Sequence, residues 1–259
     1  LGGEKSALVG VGTLAEPGGV TAPSDVAEGE LPLGMPCQRV GLDVGGVEAL
    51  FGDAVAEEDD AVAIVDGKLG GKLFLDKQEL SVHSSAQAIG HGIFLVPEDR
   101  RQTGLIVEST IRENISLPAL QRYTVRGLVS RERESQAAEA VTKRLNVKTN
   151  SIETLVKNLS GGNQQKVVLA KWLQLDPKVM IFDEPTRGID VGAKAEIYDL
   201  LRLLAKNGVG VIVISSDMEE ILGLSDRLAV MHEGRITGIL DRHNCTEENV
   251  MRLAVGGER

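Results

Sequence analysis

A short apolar run that ends in two adjacent acids constrains the fold of this chain more than any other feature. The run is Lys-Val-Met-Ile-Phe at positions 178–182, and Asp183, Glu184 and Pro185 follow it directly. A continuous apolar run of this length is typical of a strand that is covered on both faces in a parallel sheet. Because ligands of open α/β sheets bind at the carboxyl ends of the strands, both acids are predicted to lie at a ligand-binding edge.

The two acids have the chemistry that a metal-assisted reaction of phosphates needs. Hard oxygen ligands suit Mg2+ held against phosphate groups, so Asp183 is the predicted ligand of the metal or of its water. Glu184 is the predicted catalytic residue that polarises an attacking water. The simpler alternative is that both acids only cap the turn before Pro185, and the segment just upstream argues against it.

That upstream segment has the features of an anion-binding helix start. Ser160, Gly161 and Gly162 precede a stretch in which apolar residues recur at roughly helical spacing as far as Leu173. Ser160 is a natural N-cap, and the free N–H groups of a first helical turn attract anions. The two glycines allow phosphate oxygens to approach the backbone closely. A flexible turn before a helix is common by itself, and the spacing to the acidic strand is what makes this one specific.

Together these motifs resemble the nucleotide-binding domain of ATP-binding cassette (ABC) transporters. The sequence LSGGNQ at 159–164 resembles their signature motif, the strand that ends at Asp183 and Glu184 resembles Walker B, and 188–190 resembles the D-loop. The similarity is closest to the C-terminal cassette of the tandem ATPase subunits of bacterial sugar importers, the ribose, xylose, galactose and autoinducer-2 group. It covers residues 71–259, and its further carrying segments are LVPEDR at 95–100, DEPTRG at 183–188, ISSDMEE at 214–220 and VMHEG at 230–234.

The resemblance implies a fold, cofactors and a set of site residues. The implied fold is an α/β, P-loop NTPase-like ABC cassette with a mainly parallel core sheet and a helical subdomain insert at about 101–165. The implied cofactors are ATP and Mg2+. Glu98 stands where most cassettes have the Q-loop glutamine, and Ser216 stands where they have the switch histidine, as is usual for the C-terminal sugar cassette. The implied nucleotide contacts are Ser160, Gly161, Gly162, Asn163, Gln164, Glu98, Asp190 and Ser216.

The sequence lacks one motif that the resemblance requires. A Walker A loop, G-x-x-x-x-G-K-S/T, should precede Pro97 by a few dozen residues, because its lysine and backbone amides grip the β and γ phosphates. The pairs Gly67-Lys68 and Gly71-Lys72 are each followed by leucine, and no segment of the chain matches the pattern. The ATP site built on this chain's own acidic strand, here called the home site, is therefore expected to bind nucleotide poorly.

This asymmetry predicts how the chain works with others. In the family, cassettes pair head to tail, and each ATP lies between the Walker motifs of one cassette and the signature helix of the other. We expect Ser160 and Gly162 to complete the ATP site of a second ABC cassette. The further partners implied are the transmembrane permease subunits, gripped by residues from Pro97 to about Leu117, and indirectly a periplasmic or extracellular sugar-binding protein. An ordinary solvated surface is the alternative for residues 97–117.

Residues 1–70 differ in composition from the rest of the chain. They are rich in Gly, Ala, Val, Glu and Asp, contain the acidic run 57–60 and show no clear periodicity, a composition that favours disorder or loose loops. A divergent or truncated reading frame, a frame-shifted stretch and a new subdomain are the three explanations. Because the chain begins with Leu1, we expect the natural start to lie upstream.

The rest of the chain alternates predicted strands and helices, which favours a parallel core sheet. The predicted strands are 72–75, 92–96, 178–182, 209–215, 227–231 and 235–240. The predicted helices are 84–89, 131–145, 160–173, 193–204, 218–224 and 247–254.

Composition limits the partners. The net charge is −10, which argues against a nucleic-acid surface. No apolar run approaches the roughly 20 residues of a membrane span, and no signal peptide opens the chain, so membrane association is expected to come through partners at the cytoplasmic face of the bacterial cell membrane. Cys37 and Cys245 are far apart without metal-ligand spacing, which predicts reduced thiols and no zinc site.

The sequence is compatible with two classes of function. One is the ATPase subunit, or half of one, that powers sugar import. The other is a non-hydrolysing ABC-like module that regulates a partner, or a decayed remnant that no longer assembles. The intact signature and Walker B segments favour the first class, and the missing phosphate loop favours the second.

Overall fold

The computed structural model describes residues 8–12, 73–75, 78–232 and 235–256. Its strands, numbered β1 to β10, are Leu8–Gly12, Leu73–Leu75, Gln78–Leu80, Ile93–Val96, Thr124–Val125, Leu128–Val129, Val179–Asp183, Gly210–Ser215, Arg227–His232 and Arg235–Asp241. Its α-helices, numbered α1 to α7, are Ser85–Gly90, Ile111–Ser116, Arg131–Arg144, Gly161–Leu173, Val191–Lys206, Met218–Leu224 and Glu247–Ala254. A π-helical turn spans Arg100–Gly104, and short 3-10 helices span Leu117–Tyr123, Val156–Asn158 and Arg242–Asn244.

The chain forms two compact units. One contains residues 89–201, and the other contains the chain up to residue 88 together with residues 202–259. The helical elements between residues 100 and 173 belong to the first unit.

The first unit is built on a parallel pair of buried strands. β4 and β7 run parallel, with Ile93 opposite Val179 and Val96 opposite Phe182. Phe94 and Phe182 are almost completely buried, as an apolar run covered on both faces requires. This pair confirms the predicted strand before the two acids and places the carboxyl end of β7 at Asp183.

Local sequence sets the ends of the helices in this unit. Thr110 and Glu113 form a capping box at the start of α2, in which each side chain bonds the backbone of the other residue. Ser130 accepts a bond from the Arg133 N–H at the start of α3. Acids in the first turn of α3 and bases in its last turn match the helix dipole.

The second unit contains an antiparallel group of strands. β1 lies between β8 and β9, and β10 pairs with β9, all antiparallel. β1 falls within region 1–70 and was not predicted from the sequence. Apart from β1, the predictions for region 1–70 lie outside the described residues. The first unit thus contains a parallel pair of strands, and the second contains an antiparallel group around β1.

Two helices of this unit have the predicted bounds. Asp217 caps α6 by accepting the N–H groups of Glu219 and Glu220. α7 packs closely on β10, because a Cβ on Gly238 would lie 2.7 Å from Cδ1 of Leu253. None of the helices in the described part of the chain has the length and apolarity that a bilayer crossing requires.

Candidate functional site

The two acids lie at the end of β7, where the sequence predicts them. Val179, Met180, Ile181 and Phe182 are buried, and Asp183 closes the strand in a half-buried position. Burial, followed by the negative charge of Glu184, raises the pKa of Asp183 from 3.8 to about 6. Both causes disfavour a carboxylate that has no cation beside it, and a divalent cation would favour the ionised form.

The donor set at this position fits Mg2+. Among the described residues no group of three or more His, Cys, Asp or Glu could hold a metal by itself. Mg2+ bound to nucleotide needs only one or two carboxylates, since phosphate oxygens and waters complete its coordination. Asp183 at a strand end beside Glu184 meets that requirement.

Glu184 has a strained backbone. Its φ is 43°, in the left-handed region that a non-glycine residue rarely adopts. The Glu184 carbonyl accepts the N–H of Arg187 at 3.1 Å, and the Thr186 carbonyl accepts that of Ile189 at 3.2 Å. These two bonds form the turn that follows β7 and fix the acid in this conformation. Strain of this kind occurs preferentially at functional sites.

The start of α4 is open to an anion. Ser160 occupies the N-cap position, as predicted, but its side chain makes no capping bond to the first turn. Its hydroxyl oxygen instead accepts a bond of 2.9 Å from Nδ2 of Asn163. The hydroxyl hydrogen and the backbone N–H groups of the first turn can therefore be donated to a ligand. Ser160 itself is exposed.

Gln164 differs from the other predicted nucleotide contacts. It is fully buried, its Nε2 donates to the Val156 carbonyl at 3.1 Å, and its Oε1 accepts from Nε of Arg101 at 3.2 Å. Its backbone N–H bonds the Ser160 carbonyl at 2.9 Å. These bonds give Gln164 a role in holding the helix start, because its polar groups point into the unit.

The signature glycines pack against the turn after β7. A Cβ on Gly162 would lie 2.7 Å from the Cβ of Ala193, and a Cβ on Gly161 would lie 3.1 Å from the Gly188 carbonyl oxygen. Asp190 caps the start of α5, because its Oδ1 accepts the Ala193 N–H at 3.0 Å. The structure thus brings the signature-like and D-loop-like segments together within one unit.

Arg100 lies against the start of α4, a position that its sequence context does not predict. Its Nη1 donates to the Arg187 carbonyl at 3.1 Å, and its Nη2 lies 2.6 Å from the position of a Cβ on Gly161. Burial, followed by repulsion from Arg101, lowers the pKa of Arg100. A partly desolvated positive charge therefore lies beside the start of α4. Its position after two acids in LVPEDR gave no sign of this contact.

The last two predicted contacts lie in different surroundings. Glu98 forms an ion pair with Arg187, in the same unit as the signature turn. Ser216 is exposed and follows β8 in the other unit. Its contact with nucleotide stays a prediction.

The family model for ABC transporters matches residues 64–187, a range that includes both the signature turn and the acidic strand. The chain belongs to the ABC transporter family. The resemblance to this family is therefore confirmed, and the P-loop NTPase-like cassette fold is confirmed with it.

Curated relatives of this ABC chain are ribose import proteins. The ribose import ATP-binding protein RbsA of Lactococcus lactis subsp. lactis (strain IL1403) is 46% identical over 216 residues, which are 83% of this chain and 44% of that protein. RbsA of Bacillus subtilis (strain 168) is 44% identical over 215 residues, with the same two shares of 83% and 44%. The chain thus spans less than half the length of the curated relatives that it matches.

Solved structures of ABC cassettes share the fold. MJ1267, an ATP-binding cassette of an ABC transporter, aligns with a TM-score of 0.63 at 19% identity, over 76% of this chain and 81% of that chain. The dimeric post-hydrolysis state of the cassette MJ0796, bound to ADP and Pi, aligns with a TM-score of 0.56 at 24% identity, over 66% of this chain and 73% of that chain.

Proposed function

We propose that this chain is an ATP-binding cassette of a bacterial importer for a monosaccharide or related sugar, and that it supplies its signature turn to ATP held by a second cassette. The observation that carries the proposal is the helix start at Ser160. Ser160 is exposed and makes no capping bond to the first turn, so its hydroxyl can donate to an anion.

The sugar and the transport role rest on the relatives. The matched proteins are named for ribose import, and the match covers both motifs of the site. Permease subunits at the cytoplasmic face of the membrane, and indirectly an external sugar-binding protein, are the partners that such a role needs. Residues from Pro97 to about Leu117 are the proposed contact with the permease.

Each site residue has a distinct role in this proposal. Ser160 donates its hydroxyl hydrogen to the terminal phosphate of the ATP held by the second cassette, together with the first N–H groups of α4. Arg100 places a positive charge behind the same turn. Preformed donors aimed at the transferred phosphoryl group stabilise charge that develops during its transfer.

The home site is proposed to bind ATP more weakly than the site of the second cassette. Asp183 would ligate Mg2+ and Glu184 would orient a water, but the sequence contains no loop that grips the β and γ phosphates. Positioning of the phosphates is most of what catalysis of phosphoryl transfer requires. Glu184 therefore has little substrate to act on.

A comparison of two alanine variants in the assembled transporter tests this asymmetry. We expect Ser160→Ala to lower ATPase activity by roughly ten-fold or more, since one oxyanion donor contributes about 10² to 10³ in rate, and Glu184→Ala to change it little. Ser85→Ala removes an exposed hydroxyl on α1 and serves as the control. Equal losses from Ser160→Ala and Glu184→Ala would show that the home site turns over and would contradict the proposal.

The second candidate, a non-hydrolysing ABC-like module or a decayed remnant, is favoured by the missing phosphate loop. ATP binding by the chain and its effect on a partner cassette separate the two. We expect weak or undetectable ATP binding by the chain alone and stimulation of a partner's ATPase when the two are mixed. Submicromolar ATP binding would contradict the degenerate home site, and failure to stimulate any cassette partner would favour the second candidate.

A further inference from the structure

A small β-hairpin projects from the first unit. β5 and β6 pair with Val125 opposite Leu128 and Thr124 opposite Val129, and Arg126 and Gly127 form the connection. Both connecting residues have positive φ, 51° at Arg126 and 84° at Gly127. A two-residue connection with both φ values positive is a type I′ turn. A Cβ on Gly127 would meet no atom within 4 Å, so the turn lies in open space.

Arginine is unfavourable at the first position of this turn. Type I′ turns favour Asn-Gly, Asp-Gly or Gly-Gly, because asparagine, aspartate and glycine tolerate the left-handed region better than longer residues. The chain nevertheless has Arg126 there, at the point that projects furthest along the hairpin. An outlier of this kind at an exposed tip motivates a functional hypothesis.

Apolar side chains flank the arginine. Val125 and Leu128 are directly opposite in the register, so their side chains lie on the same face of the hairpin. The exposed fractions are 39% for Val125, 77% for Leu128 and 48% for Val129. Val125 and Leu128 thus form an exposed apolar pair next to the turn, here called the apolar tip, and Val129 lies on the opposite face.

The segment around the hairpin is positively charged, whereas the whole chain is negatively charged. Residues 122–133 contain four arginines and one acid, Glu132, whereas the chain as a whole carries a net charge of −10. Arg122 and Arg131 have partners in Asp176 and Glu153. For Arg126 and Arg133 no ion pair is seen within the described ranges. A guanidinium is thus available at the apolar tip, on Arg126, and a second one is carried by Arg133 in the first turn of α3, which follows the hairpin.

The base of the hairpin is anchored to the unit. The Tyr123 hydroxyl donates to Oε1 of Gln174 at 2.7 Å, and Nη2 of Arg122 lies 2.9 Å from Oδ2 of Asp176. The Ser130 N–H donates to the Tyr123 carbonyl at 2.8 Å and extends the hairpin pairing. These bonds hold the base of the hairpin, and its tip projects beyond them.

We propose that this hairpin tip docks on the surface of an anionic lipid bilayer. Val125 and Leu128 enter the headgroup region, while Arg126 pairs with a lipid phosphate. A tip of six residues offers far less than the roughly 800 Å2 per partner of a stable protein interface. The free energy of membrane attachment, in contrast, is a sum of separate contributions from buried apolar side chains and from charges. Each basic residue near an anionic surface contributes about five-fold in binding. The hairpin is separate in sequence from the helix start at Ser160, and its docking does not depend on the proposed function.

Vesicle sedimentation of the full chain without nucleotide tests the proposal. We expect binding to phosphatidylcholine vesicles that contain phosphatidylglycerol, little binding to phosphatidylcholine alone, and release at ~1 M salt, where the Debye length falls to about 3 Å. Arg126→Asn should weaken binding about five-fold, and Leu128→Ser should weaken it roughly ten-fold through lost apolar burial. Lys206→Gln removes one positive charge at the end of α5 and should change binding by no more than about two-fold, because it lies outside the hairpin.

Arg126→Asn also separates function from folding. Asparagine suits the type I′ turn better than arginine, so the variant should melt at the same or a higher temperature than the parent chain while it loses vesicle affinity. Equal binding to neutral and anionic vesicles, or binding that Arg126→Asn leaves unchanged, would overturn the proposal. Loss of binding to permease subunits in neutral lipid caused by Arg126→Asn would overturn it as well, in favour of a protein partner.

Discussion

The guanidinium of Arg100 occupies the space that a side chain at position 161 would need. Its Nη2 lies 2.6 Å from the position of a Cβ on Gly161, well inside any normal contact distance. A Cβ at position 161 would therefore have to displace the end of the Arg100 side chain. The same contact connects the π-helical turn at residues 100–104 to the start of α4.

Gly161→Ala should consequently lower the ATPase activity of the assembled transporter by roughly ten-fold, because it displaces Arg100 and shifts the donors of the turn. Arg100→Ala in the Gly161→Ala background should add little further loss, since both changes disrupt one contact. Steady-state ATPase assays of the single and double variants measure this coupling. The matched control is Gly192→Ala, whose Cβ would meet Oδ1 of Asp190 at an ordinary 3.5 Å. Additive losses would show that Arg100 and Gly161 act independently.

Gly162 makes a similarly close contact with a less mobile neighbour. A Cβ at this position would lie 2.7 Å from the Cβ of Ala193 on α5, and a Cβ cannot rotate away. We expect Gly162→Ala to destabilise the fold by about 1–3 kcal/mol, as overpacking of a buried contact does. Adding Ala193→Gly should restore part of this loss, even though glycine in a helix itself costs about 1 kcal/mol. Urea denaturation of the two single variants and the double variant measures the effect, and a double variant no more stable than Gly162→Ala would disprove the contact.

The raised pKa of Asp183 predicts a pH dependence with a definite sign. Its pKa is about 6 in the folded chain and 3.8 when unperturbed, so the folded state holds more protons between these values. Stability contributed by the protonated group is thus present below about pH 4 and is lost as the pH rises through about 6. With a discount for partial exposure, the loss amounts to about 1–2 kcal/mol.

The difference between the parent chain and Asp183→Asn isolates this effect, because carboxylates that do not interact with Asp183 titrate equally in both. In buffer with a chelator, the stability of the parent relative to Asp183→Asn should fall between pH 4 and pH 7. Thermal or urea unfolding at several pH values measures the difference. A constant difference across that range would show that burial does not raise this pKa.

Elements with a strong local period could be predicted from the sequence. The helices at 218–224 and 247–254 have the bounds that were predicted, and the strand before Asp183 differs by one residue at each end. Each combines an apolar pattern with a recognisable cap or acid at one end. The helix start at Ser160 was located for the same reason, but the hydrogen bond of its hydroxyl to Asn163 was not foreseen.

The remaining features depend on contacts that a sequence pattern does not contain. β1 has the sequence Leu-Val-Gly-Val-Gly, in which the glycines interrupt the apolar pattern of a strand, and its pairing with β8 and β9 joins residues about 200 positions apart. The hairpin at Arg126 was missed because Arg-Gly is not a usual type I′ pair. The burial of Gln164 and the position of Arg100 against Gly161 both require the folded arrangement of segments far apart in the sequence.

A buried ion network stabilises the helical part of the first unit. Nη1 of Arg112 lies 2.6 Å from Oε2 of Glu134, and Nε of Arg112 lies 2.7 Å from Oε1 of Glu153. Arg112 and Glu134 are 7% and 6% exposed, and the Ser116 hydroxyl also donates to Glu134. These contacts connect α2 to α3 and to the loop at residue 153.

Arg112→Ala should destabilise the chain by about 3–5 kcal/mol, because it leaves the buried carboxylate of Glu134 without its cation. Glu153→Ala should cost less than about 1 kcal/mol, since that partner is 41% exposed and solvent screens it. The double variant Arg112→Met with Glu134→Leu should recover most of the loss, because apolar side chains can replace a buried ion pair when both charges are removed. Urea denaturation midpoints of the parent chain, the two single variants and the double variant measure these effects. A double variant as unstable as Arg112→Ala would mean that the hydrogen bonds of the network, and not the unpaired charge, account for the effect.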